Sequence, residues 1–211
     1  MLTSYKKVHI ILVYVKGYLC QSEMIILDLA NSGNGTSMSV RLMTKMAICA
    51  AFCCVTAWLS FPLPFTPGMV TALTLAMSVT AYVLTPKQTF IVILVYLLLG
   101  AAGLPVFPVG TGGIGKLIGP TGGFYISWLL AYPLLSALKG NTVNFKRYAL
   151  VNIFVCSPLI YMGGLLSMML VMEVGLQEAF LMAVLPFIPG DVMKALMSAF
   201  LGIRINKHNF D

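Results

Sequence analysis

Acidic residues are nearly absent from this sequence. Its 211 residues include 6 Asp and Glu, and none of them lies between Leu29 and Met172. Charged residues of both signs make up 9% of the chain and hydrophobic residues 59%, whereas a soluble domain carries charge on about a quarter of its residues. This composition cannot cover a domain with polar surface. It excludes a water-soluble enzyme and predicts a single domain that faces lipid.

Clusters of basic residues are also missing, although the net charge is +7. The cations are spread singly along the chain, and the tightest pairs are Lys6 with Lys7 and Lys146 with Arg147. Because a phosphate-binding face requires Lys and Arg on one surface, this spacing excludes nucleic acid as a partner. Scattered cations of this kind are typical of the cytoplasmic loops of membrane proteins.

Metal-binding and disulfide patterns are absent as well. The cysteines are odd in number and lack metal-ligand spacing, and the histidines are His9 and His208, far from most of them. This argues against a zinc site and against a disulfide framework. Small apolar packing residues are therefore the predicted role of Cys20, Cys49, Cys53, Cys54 and Cys156.

The first 37 residues differ from the rest of the chain. An apolar stretch at 8–15 follows two lysines, but the small-residue cleavage pattern of a secretory signal does not come after it. Residues 31–37 are polar and contain glycine, which is typical of a flexible linker. We divide the chain into an N-terminal extension, 1–37, and a membrane domain, 38–211. The sequence leaves open whether the extension is disordered, non-native, an interfacial segment or an extra helix.

Six apolar segments follow, separated by proline, glycine and charged residues. A membrane-spanning helix needs about 20 apolar residues, or fewer where it lies within a bundle. The segments predict an all-α membrane protein, a bundle of six transmembrane helices with a glycine-rich outer loop. The predicted helices are 42–59, 69–84, 89–103, 122–138, 148–172 and 190–205.

The charges of the connecting segments orient this predicted bundle. Lysine and arginine accumulate on the side that holds both termini, where they are Arg41, Lys45, Lys87, Lys139, Lys146, Arg147, Arg204 and Lys207. The opposite loops are 60–68, 104–121 and 173–189, and Lys116 is their one cation. The positive-inside rule then places both termini in the cytoplasm and these three loops outside.

The second outer loop is rich in glycine. Residues 110–116 match the G-x-x-x-x-G-K pattern of a phosphate-binding loop, but Leu117 stands where that motif needs Ser or Thr for magnesium. Since no strand is predicted before it and no acid lies nearby, we exclude an ATP site. Glycines such as Gly112 and Gly113 allow backbone N–H and C=O groups to approach a ligand closely. A mobile outer loop is the alternative.

One acid lies in an otherwise apolar, span-like segment. Asp191 follows Pro189, and Lys194 comes three residues later, so a helix would place both side chains on one face. A helix that begins near Pro189 puts Asp191 close to the positive end of its dipole. Ionisable groups at membrane depth indicate a functional site. An internal ion pair that only tightens the helix is the alternative.

Two long motifs resemble the BioY family. The first is GLPVF at 103–107 followed by GTGGIGKLIGPTGG at 110–123, and the second is PFIPGDVMK at 186–194. BioY proteins are the biotin-specific substrate-binding (S) components of energy-coupling factor (ECF) transporters. The resemblance implies a multi-pass protein of the bacterial cell membrane that captures biotin and is not an enzyme. It also implies a coupling membrane subunit and two ATPase subunits as partners, and no cofactor in this chain.

The residue types of these loops suit biotin. Its ureido group has two N–H donors and a carbonyl acceptor, its tail ends in a carboxylate, and such pockets combine apolar walls with few polar anchors. Asp191 can accept the ureido N–H groups, and Lys194 can neutralise the carboxylate or donate to the ureido oxygen; which anchor meets which end stays open. The other predicted substrate-binding residues are aromatic packing residues, loop residues and a cation for the tail, namely Phe107, Tyr125, Trp128, Thr66, Gly112, Gly113 and Lys116.

The first predicted helix carries small residues. Ala47, Ala50 and Ala51 permit the close approach of another helix. The resemblance also implies a docking role for this helix, because S components are similar to one another in using an Ala-x-x-x-Ala face for docking. Ala47 and Ala51 fit that pattern. Ordinary internal packing is the alternative.

In the first outer loop the chain departs from many BioY proteins, because residues 64–68 are not followed by a glutamine-containing stretch.

Two other functions remain as alternatives, a proton-coupled carrier and an S component for another small vitamin. A proton relay needs several intramembrane acids or histidines, whereas the predicted spans hold Asp191 alone. A membrane-embedded enzyme needs a nucleophile or base with an orienting partner, and the predicted spans offer neither.

Overall fold

A computed structural model describes residues 39–62, 64, 67–140 and 142–208. The predicted N-terminal extension and Thr66 lie outside the described residues. The chain divides into two compact units after Ile48. In the first unit, residues 39–48 contain the beginning of a helix in which the Thr44 hydroxyl donates to the Val40 carbonyl. The second unit holds everything described below, apart from that beginning.

Helices dominate the described residues, which confirms the helical part of the predicted all-α bundle, although two short strands are also present. The α-helices are α1 (Val40–Thr56), α2 (Leu73–Val83), α3 (Pro86–Ala101), α4 (Gly115–Ile118), α5 (Gly122–Leu138), α6 (Phe145–Val151), α7 (Ser157–Met172), α8 (Leu176–Ala183) and α9 (Ile188–His208). A 3-10 turn covers Pro108–Gly110. The strands are β1 (Ser60–Pro62) and β2 (Met69–Thr71).

The predicted second helix starts later than expected. Met69–Thr71 is a strand that pairs antiparallel with Ser60–Pro62, so that Ser60 faces Thr71 and Pro62 faces Met69. The Thr71 hydroxyl then accepts a hydrogen bond from the Leu73 amide, 3.0 Å, where α2 begins. The prediction of helix from residue 69 was therefore wrong, because a hairpin pairing across the proline-rich loop satisfies these backbone groups instead.

The third predicted outer loop, 173–189, contains a helix that the sequence reasoning did not foresee. This helix is α8, and it has an amphipathic pattern. Its Ala179 and Ala183 are fully buried against Met168 of α7. The loop is therefore folded back on the helical core rather than extended.

The longest apolar helix is continuous from Phe145 to Met172 but changes its winding in the middle. Asn144 begins it, since its side chain accepts hydrogen bonds from the amides of Lys146 and Arg147. Residues Asn152–Cys156 form a π-helical turn between α6 and α7. Pro158 follows two residues later and lacks the N–H that a regular helix needs. At the widened turn the Asn152 carbonyl accepts from the Ser157 amide and also, at 3.1 Å, from the Ser157 hydroxyl.

Among the described residues, Phe145–Met172 is the single helix that is long and apolar enough to cross a bilayer by itself. The mean hydropathy of its most apolar 18 residues is 1.9. The helices Leu176–Ala183 and Ile188–Lys207 are together also long and apolar enough to cross a bilayer, with a bend of 46° between them. Leu73–Val83, Pro86–Ala101 and Gly122–Leu138 are apolar but shorter. Each of the six predicted segments nevertheless overlaps a helix of the structure.

Close backbone contact joins α5 to α7. A Cβ atom at Gly163 would overlap the Ser127 hydroxyl and the Gly123 carbonyl, and one at Gly123 would overlap the Gly163 carbonyl. Small residues at such crossings allow membrane helices to approach closely and to gain van der Waals contact. This crossing holds α7, with the residues it presents, against the glycine-rich start of α5.

Cations cap the helix ends opposite to the glycine-rich loop. The Lys139 ammonium donates to the carbonyls of Ala81, Tyr82 and Leu84 at 2.9, 2.7 and 2.5 Å. The Arg147 Nε donates to the Leu138 carbonyl at 2.9 Å. Positive groups at helix C-termini satisfy free carbonyls and complement the helix dipole. The cations that the sequence predicts for the cytoplasmic side therefore also stabilise α2 and α5.

Candidate functional site

A cleft lies at the other end of the second unit, where the N-terminal turns of α2, α5 and α9 meet the loop before α5. It encloses about 710 Å³ of space, including the part that is open to solvent. Its lining comes from the hairpin, α2, the glycine-rich loop, α5, α7 and α9. The lining residues are Pro67, Gly68, Met69, Thr71, Thr74, Pro108, Thr111, Lys116, Thr121, Phe124, Tyr125, Trp128, Ile160, Tyr161, Phe187, Asp191 and Lys194.

Helix α9 presents Asp191 and Lys194 to this cleft because its faces differ. Ala195 and Ser198 are buried on the inner face, whereas Met193 is 65% exposed on the outer face. Asp191 lies in the first turn of α9, where its negative charge complements the helix dipole. The two side chains form an ion pair with 2.5 Å between Nζ of Lys194 and Oδ1 of Asp191. The side chain of Asp191 is 20% exposed and that of Lys194 is 16% exposed. The predicted pairing at i, i+3 is therefore present.

The ammonium of Lys194 is surrounded by acceptors from two helices and the hairpin. Besides Asp191, it donates to the Thr74 hydroxyl at 3.2 Å and to the Thr71 carbonyl at 3.3 Å. An ammonium has three N–H groups, so these contacts engage all of them. A ligand that accepts from Lys194 must therefore replace one of these partners.

The carboxylate of Asp191 retains capacity to accept. Its Oδ1 meets Lys194 and its Oδ2 accepts a hydrogen bond of 2.7 Å from the Tyr161 hydroxyl. A carboxylate offers about four lone-pair sites on its two oxygens. Two sites therefore remain for N–H donors of a ligand, and they lie on an oxygen pair that is already fixed by Lys194 and Tyr161.

Aromatic rings form one wall of the cleft. Tyr125 and Trp128 are 6% and 4% exposed and meet edge to face, with 4.7 Å between their ring centroids. Tyr96 lies behind Trp128, with 6.4 Å between centroids, and its hydroxyl donates to the Val106 carbonyl at 2.8 Å. Among the described residues, the buried Nε1 of Trp128 has no hydrogen-bond acceptor. Buried indole N–H groups usually have one, so this donor is unsatisfied.

Lys116 lines the cleft from the short helix α4 and is half-buried. With Asp191, Lys194, Tyr125 and Trp128, it belongs to the five predicted substrate-binding residues that the structure brings into one cleft. Lys116 lies in the glycine-rich loop and therefore comes from a different part of the chain than the ion pair of α9. The cleft therefore contains two cations and one acid, an arrangement that favours an anionic ligand.

Phe107, Gly112 and Gly113 do not line the cleft. Phe107 is fully buried beneath Tyr125, with 4.8 Å between centroids, and fills a space at Gly100 where a Cβ would overlap its ring. Gly113 has φ = +100° and donates to the Gly100 carbonyl at 2.7 Å. A Cβ at Gly112 would overlap the Leu104 carbonyl. These residues shape and close the loop beneath the aromatic wall.

The three residues that hydrogen-bond to the Asp191–Lys194 pair escaped the sequence reasoning, namely Tyr161, Thr71 and Thr74. Tyr161 lies inside an apolar helix 30 positions from Asp191, and no local pattern connects the two. Thr71 and Thr74 are spaced i, i+3 directly after the proline-rich loop. That spacing gave no usable signal, because Thr71 lies in a strand and meets Lys194 through its backbone carbonyl, while its hydroxyl accepts from the Leu73 amide.

In the described part of the chain, no group of three or more His, Cys, Asp or Glu side chains lies close enough together to hold an ion. The polar groups that converge on the cleft are instead one acid, two cations, hydroxyls and an indole N–H. This set suits hydrogen bonding to an organic ligand with polar ends and an apolar middle.

The predicted docking residues lie on α1, and none of them lines the cleft. Ala47 and Ala51 are exposed, and Ala50 is half-buried. Residues four apart lie on one helix face, so Ala47 and Ala51 leave a shallow, exposed strip. Met43 and Val55, 55% and 59% exposed, continue the strip in both directions.

Comparison with known protein families gives a match over most of the chain. The model of the BioY family matches residues 30–210. A protein of Bacillus subtilis (strain 168) named "Probable biotin transporter BioY" is 37% identical over 174 residues, which are 80% of this chain and 92% of that protein. "Biotin transporter BioY" of Rhizobium etli is 32% identical over 174 residues, 78% of this chain and 92% of that protein.

A solved structure is similar over nearly its whole length. It is the crystal structure of "the S-component for biotin from an ECF-type ABC transporter", with a TM-score of 0.74 and 26% sequence identity. The similarity covers 83% of this chain and 95% of that chain. Sequence and fold therefore lead to the same group of proteins, which is a group of transporter components and not of enzymes.

Proposed function

Since this chain belongs to the BioY family, we propose that it captures biotin at the outer face of the bacterial cell membrane as the S component of an ECF-type ABC transporter. The observation that carries the proposal is the cleft, in which a fixed carboxylate, an aromatic wall and a separate cation converge. The names of the similar proteins give the ligand, and the cleft supplies matching chemistry for each part of it.

The ureido ring of biotin fits the Asp191 end of the cleft. Its two N–H groups are donors, and the carboxylate of Asp191 has lone pairs left after it accepts from Lys194 and Tyr161. Hydrogen bonds to charged groups contribute about 1.5–3 kcal/mol each. A carboxylate held by two protein donors loses little conformational freedom when a ligand binds, which favours tight binding.

The aromatic wall fits the fused, mostly apolar ring system of biotin. Tyr125 and Trp128 offer broad, rigid surfaces with few torsions to restrict. The unpaired Nε1 of Trp128 adds a donor for an acceptor atom of the ligand. Because this nitrogen is closed off from water, pairing it with a ligand involves a tilt of the indole ring.

The valerate tail of biotin ends in a carboxylate, and Lys116 is the cation we assign to it. Lys116 is half-buried in the loop, whereas Lys194 is engaged by three acceptors. Attraction between unit charges is stronger in a partly desolvated cleft than in water. The two lysines therefore have different roles. Lys116 pairs with the carboxylate of the tail, and Lys194 pairs with Asp191.

We propose six membrane spans with the cleft outside and both termini in the cytoplasm. Helix α2 has 11 residues and is about 17 Å long, which is shorter than the hydrocarbon core of about 30 Å. Strand β2 and the glycine-rich loop would complete such short crossings, since irregular backbone is tolerated at membrane depth when protein covers it. The capping cations Lys139 and Arg147 lie at the opposite ends of the helices, as the positive-inside rule requires.

Transport would need partners, because the pattern at 110–116 that is similar to a phosphate-binding loop is followed by Leu117 where that motif needs Ser or Thr. We assign hydrolysis to two ATPase subunits and coupling to a further membrane subunit, with the exposed strip around Ala47 and Ala51 as the docking face. Small residues let two membrane helices approach closely. The strip is on α1, which contributes no lining residue to the cleft.

Purification of the protein from cells, followed by mass spectrometry of what is bound, tests the proposal directly. We expect biotin to co-purify, and calorimetric titration of ligand-free protein in detergent to give one saturable site. Riboflavin and thiamine serve as matched vitamin controls. Saturable binding of another vitamin without binding of biotin would overturn the assignment. Biotin uptake by vesicles that contain this chain alone, driven by a proton gradient, would favour a proton-coupled carrier.

A further inference from the structure

Asn152 begins the π-helical turn and is 4% exposed, yet it does not line the cleft. Its amide donates to two hydroxyls on different helices, Ser78 of α2 at 3.1 Å and Ser198 of α9 at 3.3 Å. A polar side chain inside an apolar helix is retained when it bonds across helices. Asn152 therefore joins the three helices that carry Thr74, Lys194 and Tyr161.

The two serines repeat the cleft contact one turn further along. Ser198 follows Lys194 by four residues, and Ser78 follows Thr74 by four residues, so the helices α2 and α9 keep the same register at both levels. A turn of helix rises about 5.4 Å. The Asn152 contacts thus lie one turn behind the 3.2 Å hydrogen bond from Lys194 to Thr74, and they fix the distance that this bond requires.

Hydrogen bonds also connect the two levels directly. The Ser78 hydroxyl donates to the Thr74 carbonyl at 2.9 Å, and the Ser198 hydroxyl donates to the Ala195 carbonyl at 2.9 Å. Each serine therefore accepts from Asn152 and donates towards the cleft. The chain of bonds from Asn152 through Ser78 ends at the residue whose side chain holds Lys194.

We propose that Asn152 is a positioning residue for the ligand site, setting the register of α2 and α9 so that Lys194 is held by Thr74 and in turn fixes Asp191. The proposal rests on the proposed function for its choice of ligand, but the geometry of Lys194 can be tested without one. It predicts that loss of Asn152 changes affinity itself, and not only the amount of folded protein.

Asn206 offers a matched control in the same three helices. Its amide donates to the Tyr82 carbonyl at 3.0 Å and to the Tyr148 hydroxyl at 3.1 Å. It therefore also links α9 to α2 and α6, but 12 positions beyond Lys194, about 18 Å along the helix. An asparagine that only stabilises the bundle should behave in the same way at both places.

The test compares Asn152→Leu with Asn206→Leu in purified protein. We expect the dissociation constant for biotin to rise about tenfold in Asn152→Leu, with the number of sites per folded protein unchanged. In Asn206→Leu we expect a lower unfolding temperature and an unchanged dissociation constant. Thr74→Val combined with Asn152→Leu should weaken binding by less than the product of the single effects, because both act on Lys194.

A second readout needs no biotin. An amine-reactive reagent, with labelled peptides identified by mass spectrometry, should modify Lys194 faster in Asn152→Leu than in the wild type, and at the wild-type rate in Asn206→Leu. If Asn152→Leu does not fold, Ser78→Ala and Ser198→Ala carry the same expectation with smaller effects. Unchanged affinity and unchanged Lys194 labelling in the folded variants would overturn the positioning role. Faster labelling of Lys194 in Asn152→Leu, together with a wild type that binds no biotin, would instead overturn the proposed ligand alone.

Discussion

The hydroxyl of Tyr161 donates a 2.7 Å hydrogen bond to Oδ2 of Asp191 and so joins α7 to α9 at the cleft. The other carboxylate oxygen is held by Lys194. The acid thus has a fixed orientation before any ligand arrives, and it is held by residues from two helices. A carboxylate that two helices hold in place is ready to accept hydrogen bonds from a ligand. An ion pair within α9 alone would only stabilise that helix.

Asp191→Asn and Lys194→Ala are each expected to lower biotin affinity at least tenfold without unfolding the protein. Asn keeps the shape of Asp191 but replaces acceptor capacity with N–H groups that oppose the ureido donors. A hydrogen bond to a charged group contributes about 1.5–3 kcal/mol, and 1.4 kcal/mol corresponds to about tenfold. Calorimetry on each variant measures the effect, with thermal unfolding as the control.

The double variant separates an anchor from a self-contained ion pair. If the two side chains serve only each other, removal of both should return affinity to near the wild-type value. If Asp191 binds ligand and Lys194 holds Asp191, the double variant should bind no better than the weaker single variant. Recovery in the double variant would contradict the anchor role.

Tyr161→Phe is expected to weaken biotin binding less than Asp191→Asn does. The hydrogen bond from Tyr161 exists without ligand, so its loss affects binding only through the orientation of the carboxylate. We expect about a threefold to tenfold rise in the dissociation constant, within the range of one modest hydrogen bond. Tyr148→Phe is the control, because its hydroxyl accepts from Asn206 at the other end of the helices. Equal effects of the two variants would remove the case for a specific part of Tyr161.

Trp128→Phe is expected to weaken biotin binding about threefold to tenfold, because it removes the unpaired indole donor and keeps an aromatic ring in the wall. Trp58→Phe, a change at the other tryptophan, which is 60% exposed, should leave affinity unchanged. In that control protein Trp128 is the only tryptophan, so its fluorescence reports the ring directly. A saturable emission change with biotin is expected there; none would mean that the ligand does not reach this wall.

The site on α9 could be predicted because its signal is local. A single acid in an apolar segment, a cation at i+3 and a proline before them determine a shared helix face without knowledge of other helices. The partners of that pair could not be predicted, since Tyr161 and Thr74 are 30 and 120 positions away from the residues they contact. The family resemblance, by contrast, followed from two long motifs, and the comparisons confirm it.

The hairpin and the aromatic wall show where sequence reasoning ends. Met69–Thr71 continues into α2 without a change in hydropathy, so only its pairing with Ser60–Pro62 reveals a strand. Phe107 belongs to a motif with aromatic and glycine residues, but the space at Gly100 draws its ring inward and away from the cleft. Both differences depend on tertiary contacts that periodicity does not contain.

Ala47→Trp and Ala51→Trp are each expected to abolish biotin uptake by cells that hold the whole transporter, while calorimetric binding by the purified variant stays unchanged. Both alanines are exposed on α1, and an indole ring there would prevent another helix from approaching closely. Leu170→Trp is a matched control, since Leu170 is 79% exposed on α7 and should accept the ring in lipid. Uptake and binding that fall together in the alanine variants would mean that the strip packs within the protein. Uptake that falls equally in Leu170→Trp would mean that the added ring itself is harmful, and the docking face would have to be sought elsewhere.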